Sequence, residues 1–415
     1  MPPRLAFVSE IFHPNPQSTS QLLTALFSGW EVAPGSLAVL CGKERIDPAH
    51  NGRDDSLSAI MIRRCGLRID GKRSLVNRLL RYLSFTLGAT WELLRLRPRR
   101  ICAVSNPPYS PIWMWLITRF TRTPYDLLLH DVYPDGLIAI DMLSPRSVVA
   151  VVWRALNRIA YGGAASIIVL GRDMADLVHE RYAVGRDRIA IIPNWSPTAF
   201  SAAHTPDRSS PSSTFVAVYS GNMGAWHDID TIVESARLLA SDRRIAIRMV
   251  GGGKRRPAAE RRAMELGLDN ISWSDFVPLE ELGGLLASSD VALVSQRDGL
   301  TGVAVPCKLY GILAAGRPVL AAVPDDCETA IVIREEACGL VVPPHDPAVL
   351  AEALRRLADH PAECRRMADR AAHAYKTKYS LTEARVRFQS LWHLPESLDR
   401  TTCRFGTSSS PPAPA

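Results

Sequence analysis

Short apolar runs recur along the chain, each closed by polar or turn-forming residues, and longer stretches with helical spacing separate them. In the first half, Leu5–Val8, Leu37–Cys41, Ala59–Arg63, Arg100–Val104, Tyr125–Leu129, Ser166–Leu170 and Arg188–Ile192 read as strands. Helices are predicted over Ser20–Trp30, Ser74–Arg97, Tyr109–Phe120, Arg146–Tyr161 and Arg172–Arg181. Alternation of this kind builds βαβ units and a parallel sheet covered on both faces. A stretch rich in Ser, Thr and Pro, residues 196–213, interrupts the pattern and reads as a linker.

The alternation then restarts. Strands are predicted at Phe215–Tyr219, Ile245–Val250, Ile271–Trp273, Val291–Val294, Val319–Ala321 and Gly339–Val342. Helices are predicted at Asp228–Leu239, Arg255–Leu266, Ala348–Ala358 and Ala362–Tyr375. A last helix near Leu381–Leu391 is placed to pack back on the first half. The resulting division is a first domain at 1–195, the linker, a second domain at 214–380, a returning helix at 381–398 and a disordered tail at 399–415. A length of 415 residues supports this division, because single cores stop growing near roughly 250–300 residues. The expected fold is α/β: two Rossmann-like, doubly wound parallel-sheet domains facing a central cleft.

Charge narrows the partners. The formal net charge of +7 suits phosphates or an acidic membrane surface. No zinc-finger spacing, RNA-binding aromatic signature or distinct helix-turn-helix accompanies it, so nucleic acid is not expected. The eight cysteines form no CxxC pair and mostly sit in apolar runs, as reduced core residues of a cytosolic protein do. No leader or membrane-spanning segment is read from the sequence, and the expected location is cytoplasmic.

Candidate chemistry concentrates where strands end in glycine. Tyr219-Ser220-Gly221-Asn222-Met223-Gly224 closes a strand and opens a helix, and Met249-Val250-Gly251-Gly252-Gly253-Lys254 does the same. Glycine lets backbone approach a ligand, and a helix start offers N–H groups to a phosphate. A plain strand–helix turn has the same pattern. In Pro306-Cys307-Lys308-Leu309-Tyr310-Gly311, Lys308 falls in a first helical turn, where the dipole disfavours a cation unless an anion is bound. On the other half, His130-Asp131 follows the strand Tyr125–Leu129, at the end where parallel sheets bind ligands. There the pair can orient or deprotonate a hydroxyl, or His130 can be a loop residue satisfied by backbone. No DxD triplet or His/Cys cluster has metal-ligand spacing, so neither a metal nor another cofactor is expected.

The ordered series of these motifs resembles the family 4 glycosyltransferases with a GT-B fold. It includes His227-Asp228-Ile229-Asp230 after the SGNMG turn, Trp273-Ser274-Asp275-Phe276-Val277-Pro278, Ala287-Ser288-Ser289-Asp290 and the segment Pro306–Val319. The first half matches through His130-Asp131-Val132-Tyr133-Pro134-Asp135 and Ile191-Ile192-Pro193-Asn194-Trp195. The chain is similar to the subgroup that makes bacterial capsule, O-antigen and exopolysaccharide, the colanic-acid type included.

The resemblance implies retaining transfer of a hexose or N-acetylhexosamine from a UDP- or GDP-sugar to a glycan or lipid-linked acceptor. It places Gly221, Asn222 and Gly224 beside the donor pyrophosphate. Gly251, Gly252 and Gly253 would line the donor cleft with Lys254, and Phe276 and Val277 would face the base. Thr301, Gly302 and Val303 would hold the sugar and Lys308 the phosphates, with His130 and Asp131 on the acceptor side. Many members carry two glutamates eight positions apart, where this chain has Val303 and Gly311. Two alternatives remain open: a nucleotide-sugar 2-epimerase, and a non-catalytic nucleotide-binding subunit. Basic and large apolar residues alternate along Ser74–Arg97, ahead of Ile112-Trp113-Met114-Trp115-Leu116. That pattern fits a helix lying on an anionic inner membrane, and equally an ordinary core-facing amphipathic helix.

Overall fold

The computed structural model describes residues 2–30, 32, 33, 35–43, 55–70, 74–198 and 214–392. Most of the linker and all of the expected tail lie outside the described residues. In the first half, β1 (Leu5–Ser9), β2 (Leu37–Gly42), β3 (Met61–Cys65), β4 (Arg100–Val104), β5 (Tyr125–Leu128), β6 (Ser166–Val169) and β7 (Ile189–Ile191) form one sheet in the order β3-β2-β1-β4-β5-β6-β7. In the second, β8 (Phe215–Ser220), β9 (Ile245–Val250), β10 (Ile271–Ser274), β11 (Val291–Ser295), β12 (Val319–Ala322) and β13 (Gly339–Val342) run in the order β10-β9-β8-β11-β12-β13. Pairing is parallel throughout, with Leu5 opposite both Leu37 and Arg100, and Phe215 opposite Ile245. β1, β2, β8 and β11 are buried along most or all of their length, as strands covered on both faces must be. β3 begins two residues later than its apolar run suggests.

Strand order reverses beside β1 and beside β8, the points where doubly wound sheets open a crevice. Right-handed crossovers put the helices Leu75–Leu96, Ser110–Thr121 and Val148–Gly163 on one face of the first sheet, and Ser18–Phe27 on the other. The first two are pinned together by Trp113 Nε1, which donates to Thr90 Oγ1 at 3.0 Å, and the second packs along the third. Short helices at Asp135–Ala139, Leu282–Ala287, Lys308–Ala314 and Glu328–Glu335 are too brief for periodicity to delimit.

The chain returns to the first half at its end. The helix Pro361–Ala374 passes through a π turn at Tyr375–Tyr379 into the helix Leu381–Trp392. Arg385 Nε donates to the Leu26 carbonyl at 3.0 Å and Nη2 to that of Ala25 at 2.8 Å. Phe388 stacks on Trp392 with centroids 4.8 Å apart and meets Trp195 edge-on. Trp392 Nε1 donates to Asp126 Oδ2 at 3.1 Å. Asp126 is completely buried on β5 and also accepts from Arg100 Nε (2.6 Å), Arg100 Nη2 (2.7 Å) and Ser166 Oγ (2.6 Å). A buried carboxylate is costly unless donors such as these satisfy it.

Removing that carboxylate strands the Arg100 guanidinium. Asp126→Ala should cost about 3–5 kcal/mol, and Trp392→Phe, which loses one donor, about 1–2 kcal/mol. Urea unfolding midpoints of the two variants check both values and their order.

Candidate active site

The two sheets point their carboxyl ends at each other. The space between them is a cavity of about 890 Å³, at the upper end of the range for small-molecule sites. Its second-domain wall is built on two interlocked glycine turns. Gly221 has φ +136°, Gly251 +127° and Gly253 +139°, conformations that favour glycine. A Cβ on Gly251 would stand 2.1 Å from the Gly221 carbonyl oxygen, and one on Gly253 2.5 Å from that of Met223. The turns are tied by Met223 N–H to the Gly252 carbonyl (2.6 Å) and Gly221 N–H to that of Val250 (2.9 Å). Arg256 Nη1 braces them from behind, donating to the carbonyls of Gly251 (2.5 Å) and Ser274 (3.0 Å).

Gly221, Asn222 and Gly224 therefore line the cavity, with Lys254, Phe276 and Val277 at its edge. Gly251, Gly252 and Gly253 do not line it. They are the support that the first turn rests on, a correction to their expected place in the wall. Phe276 is 60% exposed, and its ring edge sits against Gly252.

Lys308 is the first residue of a seven-residue helix, and Pro306 precedes that helix. Its setting comes from burial more than from a helix dipole. Nζ donates to Tyr219 Oη at 2.6 Å and lies 3.8 Å from that ring's centroid. Tyr219 Oη in turn donates to the Asn222 carbonyl at 2.8 Å, so the lysine and the glycine turn form one unit. Burial pulls Lys308 down from lysine's usual 10.5 to about 7.

Thr301, Gly302 and Val303 face elsewhere. Thr301 Oγ1 donates to Asp326 at 2.9 Å, and Gly302 N–H donates to Asp173 Oδ2 at 3.0 Å. Val303 is buried, and its carbonyl accepts from Val132 N–H at 2.9 Å. Asp173 ties the loop to the first domain, so these three residues, expected to hold the donor sugar, are engaged with protein groups here. Ala304, Val305, Pro306 and Cys307 line the cavity in their place. Gly311 also lines it, and a Cβ there would meet nothing within 4 Å. Open space thus stands where many family members carry a glutamate, whereas Val303 is turned away.

The first-domain wall carries His130 and Asp131, just past β5. Ser105 Oγ, at the end of neighbouring β4, accepts from both their N–H groups, at 3.1 and 3.3 Å. His130 Nδ1 lies 3.5 Å from Thr19 Oγ1. Asp131 forms an antiparallel bridge with Ala304, so the two walls touch through backbone at this point. Desolvation lowers His130 to about 4 and raises Asp131 to about 7. At neutral pH the imidazole is uncharged and the carboxyl lies close to its midpoint.

His227 was given no role by sequence reasoning, yet it also lines the cavity. Its Nδ1 lies 2.9 Å from the Ser295 carbonyl oxygen, and burial, with Lys308 adding to it, lowers it to about 3. The signal was present, because His227 directly follows the Gly224 turn in the segment that carries the resemblance. Among the described residues there is no group of three or more His, Cys, Asp or Glu that could hold a metal ion. Cys307 is the one described cysteine not fully buried, and it borders Lys308.

Comparison with known proteins agrees with the fold. Solved structures with the same fold include HepE of Anabaena, determined with UDP, at TM-score 0.68 and 12% identity over 94% of this chain and 99% of that one. WaaG, a glycosyltransferase involved in lipopolysaccharide biosynthesis, matches at TM-score 0.65 and 16% identity over 93% and 99%. These establish two facing Rossmann-like domains of the GT-B type. Family models described as "Glycosyl transferase 4-like domain" and "Glycosyl transferases group 1" match residues 28–195 and 214–360 and together span most of the chain. The chain belongs to the family 4 glycosyltransferases. WbjE of Pseudomonas aeruginosa, named as a glycosyltransferase, is 29% identical over 56% of this chain and 59% of its own length. WcaI of Escherichia coli (strain K12), named for colanic acid biosynthesis, is 27% identical over 62% and 66%. The matched region thus covers about three fifths to two thirds of these relatives.

The interlock of the turns makes a direct prediction. Gly251→Ala forces the Gly221 turn apart and should weaken nucleotide binding at least about tenfold while costing about 1–3 kcal/mol in stability. Gly311→Ala, in open space on a helix, should instead stabilise by about 0.5–1 kcal/mol. Chemical denaturation and nucleotide titration of both variants check the contrast.

Proposed function

We propose that the protein transfers a sugar, with retention of anomeric configuration, from a UDP- or GDP-linked donor to a glycan or lipid-linked acceptor. The setting is bacterial surface-polysaccharide synthesis on the inner face of the plasma membrane. The observation that carries this reading is one cavity with a lysine–tyrosine–glycine-turn unit on one wall and a His–Asp pair on the other. Donor phosphates sit against Lys308 Nζ and the Gly221–Gly224 turn. Charge grows on the departing diphosphate as the glycosidic bond breaks, and a partly desolvated cation opposes that charge more strongly than an exposed one. An acceptor hydroxyl sits near His130 and Asp131. The neutral imidazole accepts or donates a hydrogen bond without adding charge, and Asp131 is poised to take a proton near neutrality. Closure of the cleft over a bound donor excludes water from it. The epimerase reading would need acidic and histidine residues near the donor sugar, and the weakly polar 299–305 stretch argues against it. The empty space at Gly311 supports the remaining alternative, a subunit that binds nucleotide without transfer.

Thermal unfolding against UDP, GDP, ADP and dTDP separates these readings. One of the first two should raise the midpoint, by the equivalent of about 2.7 kcal/mol at a hundredfold excess over Kd. Lys308→Met should weaken that binding about ten- to a hundredfold. It should also raise the midpoint of the ligand-free protein at pH 7. The folded state holds Lys308 below its ordinary value, so burying its charge costs stability at and below pH 7, and that cost fades as pH rises toward 10.5. Nucleotide affinity should fall above pH 7 by up to about tenfold per unit, and the variant should lose this slope. Binding without transfer to any acceptor favours the non-catalytic subunit, and no shift with any nucleotide at millimolar level overturns the donor reading.

A further inference from the structure

The helix Leu75–Leu96 is apolar on two sides. Phe85, Ala89 and Leu93 face the sheet and are buried. Leu79, Leu83, Leu87, Trp91 and Leu94 recur at intervals of three and four on the opposite side and are exposed, Leu87 by 63% and Trp91 by 68%. A helix apolar all round belongs in a core or in lipid, yet this one lies on the surface.

Its neighbours repeat the feature. On Ser110–Thr121, Leu116 and Phe120 are exposed, Phe120 by 84%. On Val148–Gly163, whose part in this surface the sequence did not reveal, Val148, Val149, Val152 and Ile159 are exposed, Val148 by 78%. The crossovers set these three helices side by side, so the stripes join into one apolar face. Scattered surface leucines are ordinary, but a contiguous face of this kind marks an interaction surface.

Charge identifies the partner. Arg78, Arg95, Arg119 and Arg158 lie exposed on the same three helices. Among the described residues, the single acid on them is Glu92, which is mostly buried and within ion-pair reach of Arg63 and Arg95. A second copy meeting this face two-fold would set arginines against arginines. An anionic bilayer matches both properties, headgroup charge for the arginines and acyl chains for the leucines. No helix among the described residues is long and apolar enough to cross a membrane, so the contact is parallel to the surface. Arg78 belongs to this helix and also lines the cavity, so the mouth of the cleft opens where the apolar face begins.

We propose that the face made by Leu75–Leu96, Ser110–Thr121 and Val148–Gly163 rests on an anionic lipid bilayer, with the cleft mouth held at the headgroups. The proposal does not depend on the transfer reading. The test is co-sedimentation of the full chain with vesicles of phosphatidylglycerol mixed with phosphatidylcholine, and of phosphatidylcholine alone. Binding should need the anionic lipid, weaken with salt, and shift Trp emission to shorter wavelength. The double variant Leu83→Glu/Leu87→Glu, at exposed positions, should partition at least about tenfold less. Its nucleotide-induced thermal shift should be unchanged, which shows that it is folded. No binding of the parent protein to anionic vesicles, or equal binding of the variant, overturns the proposal. So does a concentration-dependent dimer that the same double variant abolishes, because the face then belongs to a second copy. Vesicle binding lost in a variant that unfolds in urea as cooperatively as the parent, with no nucleotide shift in either protein, supports the face and overturns the donor reading alone.

Discussion

The two halves are held in register by a few backbone contacts across the cleft. Val132 N–H donates to the Val303 carbonyl, Asp131 pairs with Ala304, and the Asp173 carboxylate accepts from both Gly302 N–H (3.0 Å) and Glu328 N–H (3.0 Å). Arg172, beside it, bonds to Glu328 and Glu335 of the second domain. Everything chemical in the cavity depends on this seam. It brings His130 and Asp131 opposite Lys308, and it decides which side of the 300–304 loop faces the ligand. Gln296, buried on the second-domain side, fixes the same loop through the carbonyls of Leu300 (3.2 Å) and Ala304 (3.1 Å). Hydrogen bonds to a buried carboxylate are strong and costly to leave unmade, so the loop has little freedom to turn back.

Burial then shapes the titrating groups. Lys308, His130, His227 and Asp131 are each pushed toward the neutral form, and desolvation is the largest cause for all four. Losing charge in this way lowers the cost of holding these four groups away from water.

The strands were legible because each is a short apolar run with a turn signal at both ends, and all but β3, which is shifted by two residues, lie where those runs predict. The glycine turns were legible for the same local reason: only glycine accepts the φ of residues 221, 251 and 253. Contacts between distant residues were not legible. Gly302 is turned by Asp173, which is 129 positions away, and Asp126 is capped by Trp392, which is 266 away. Periodicity gave the helix Leu75–Leu96 but not its orientation, since leucines occupy both sides and only the fold shows which side meets the sheet. Lys308 was found for an incomplete reason: the helix behind it is short, and Tyr219 and burial are what set its character.

The return of the last helix has a consequence for how the protein is made. Asp126 and Arg100 lie in the centre of the first sheet, but Trp392, which completes their surroundings, is synthesised after the whole second domain. A ribosome releasing the chain from its first residue therefore exposes a first half whose inner wall is unfinished. Phe7 and Trp30 wait on Trp392, and Trp195 on Phe388, of the same helix. Domains usually mature in the order in which they emerge. Here the second domain can close first, and the first reaches its final packing only after residue 392 has been made. A chain cut short anywhere before residue 392 leaves an open aromatic groove for quality control to detect.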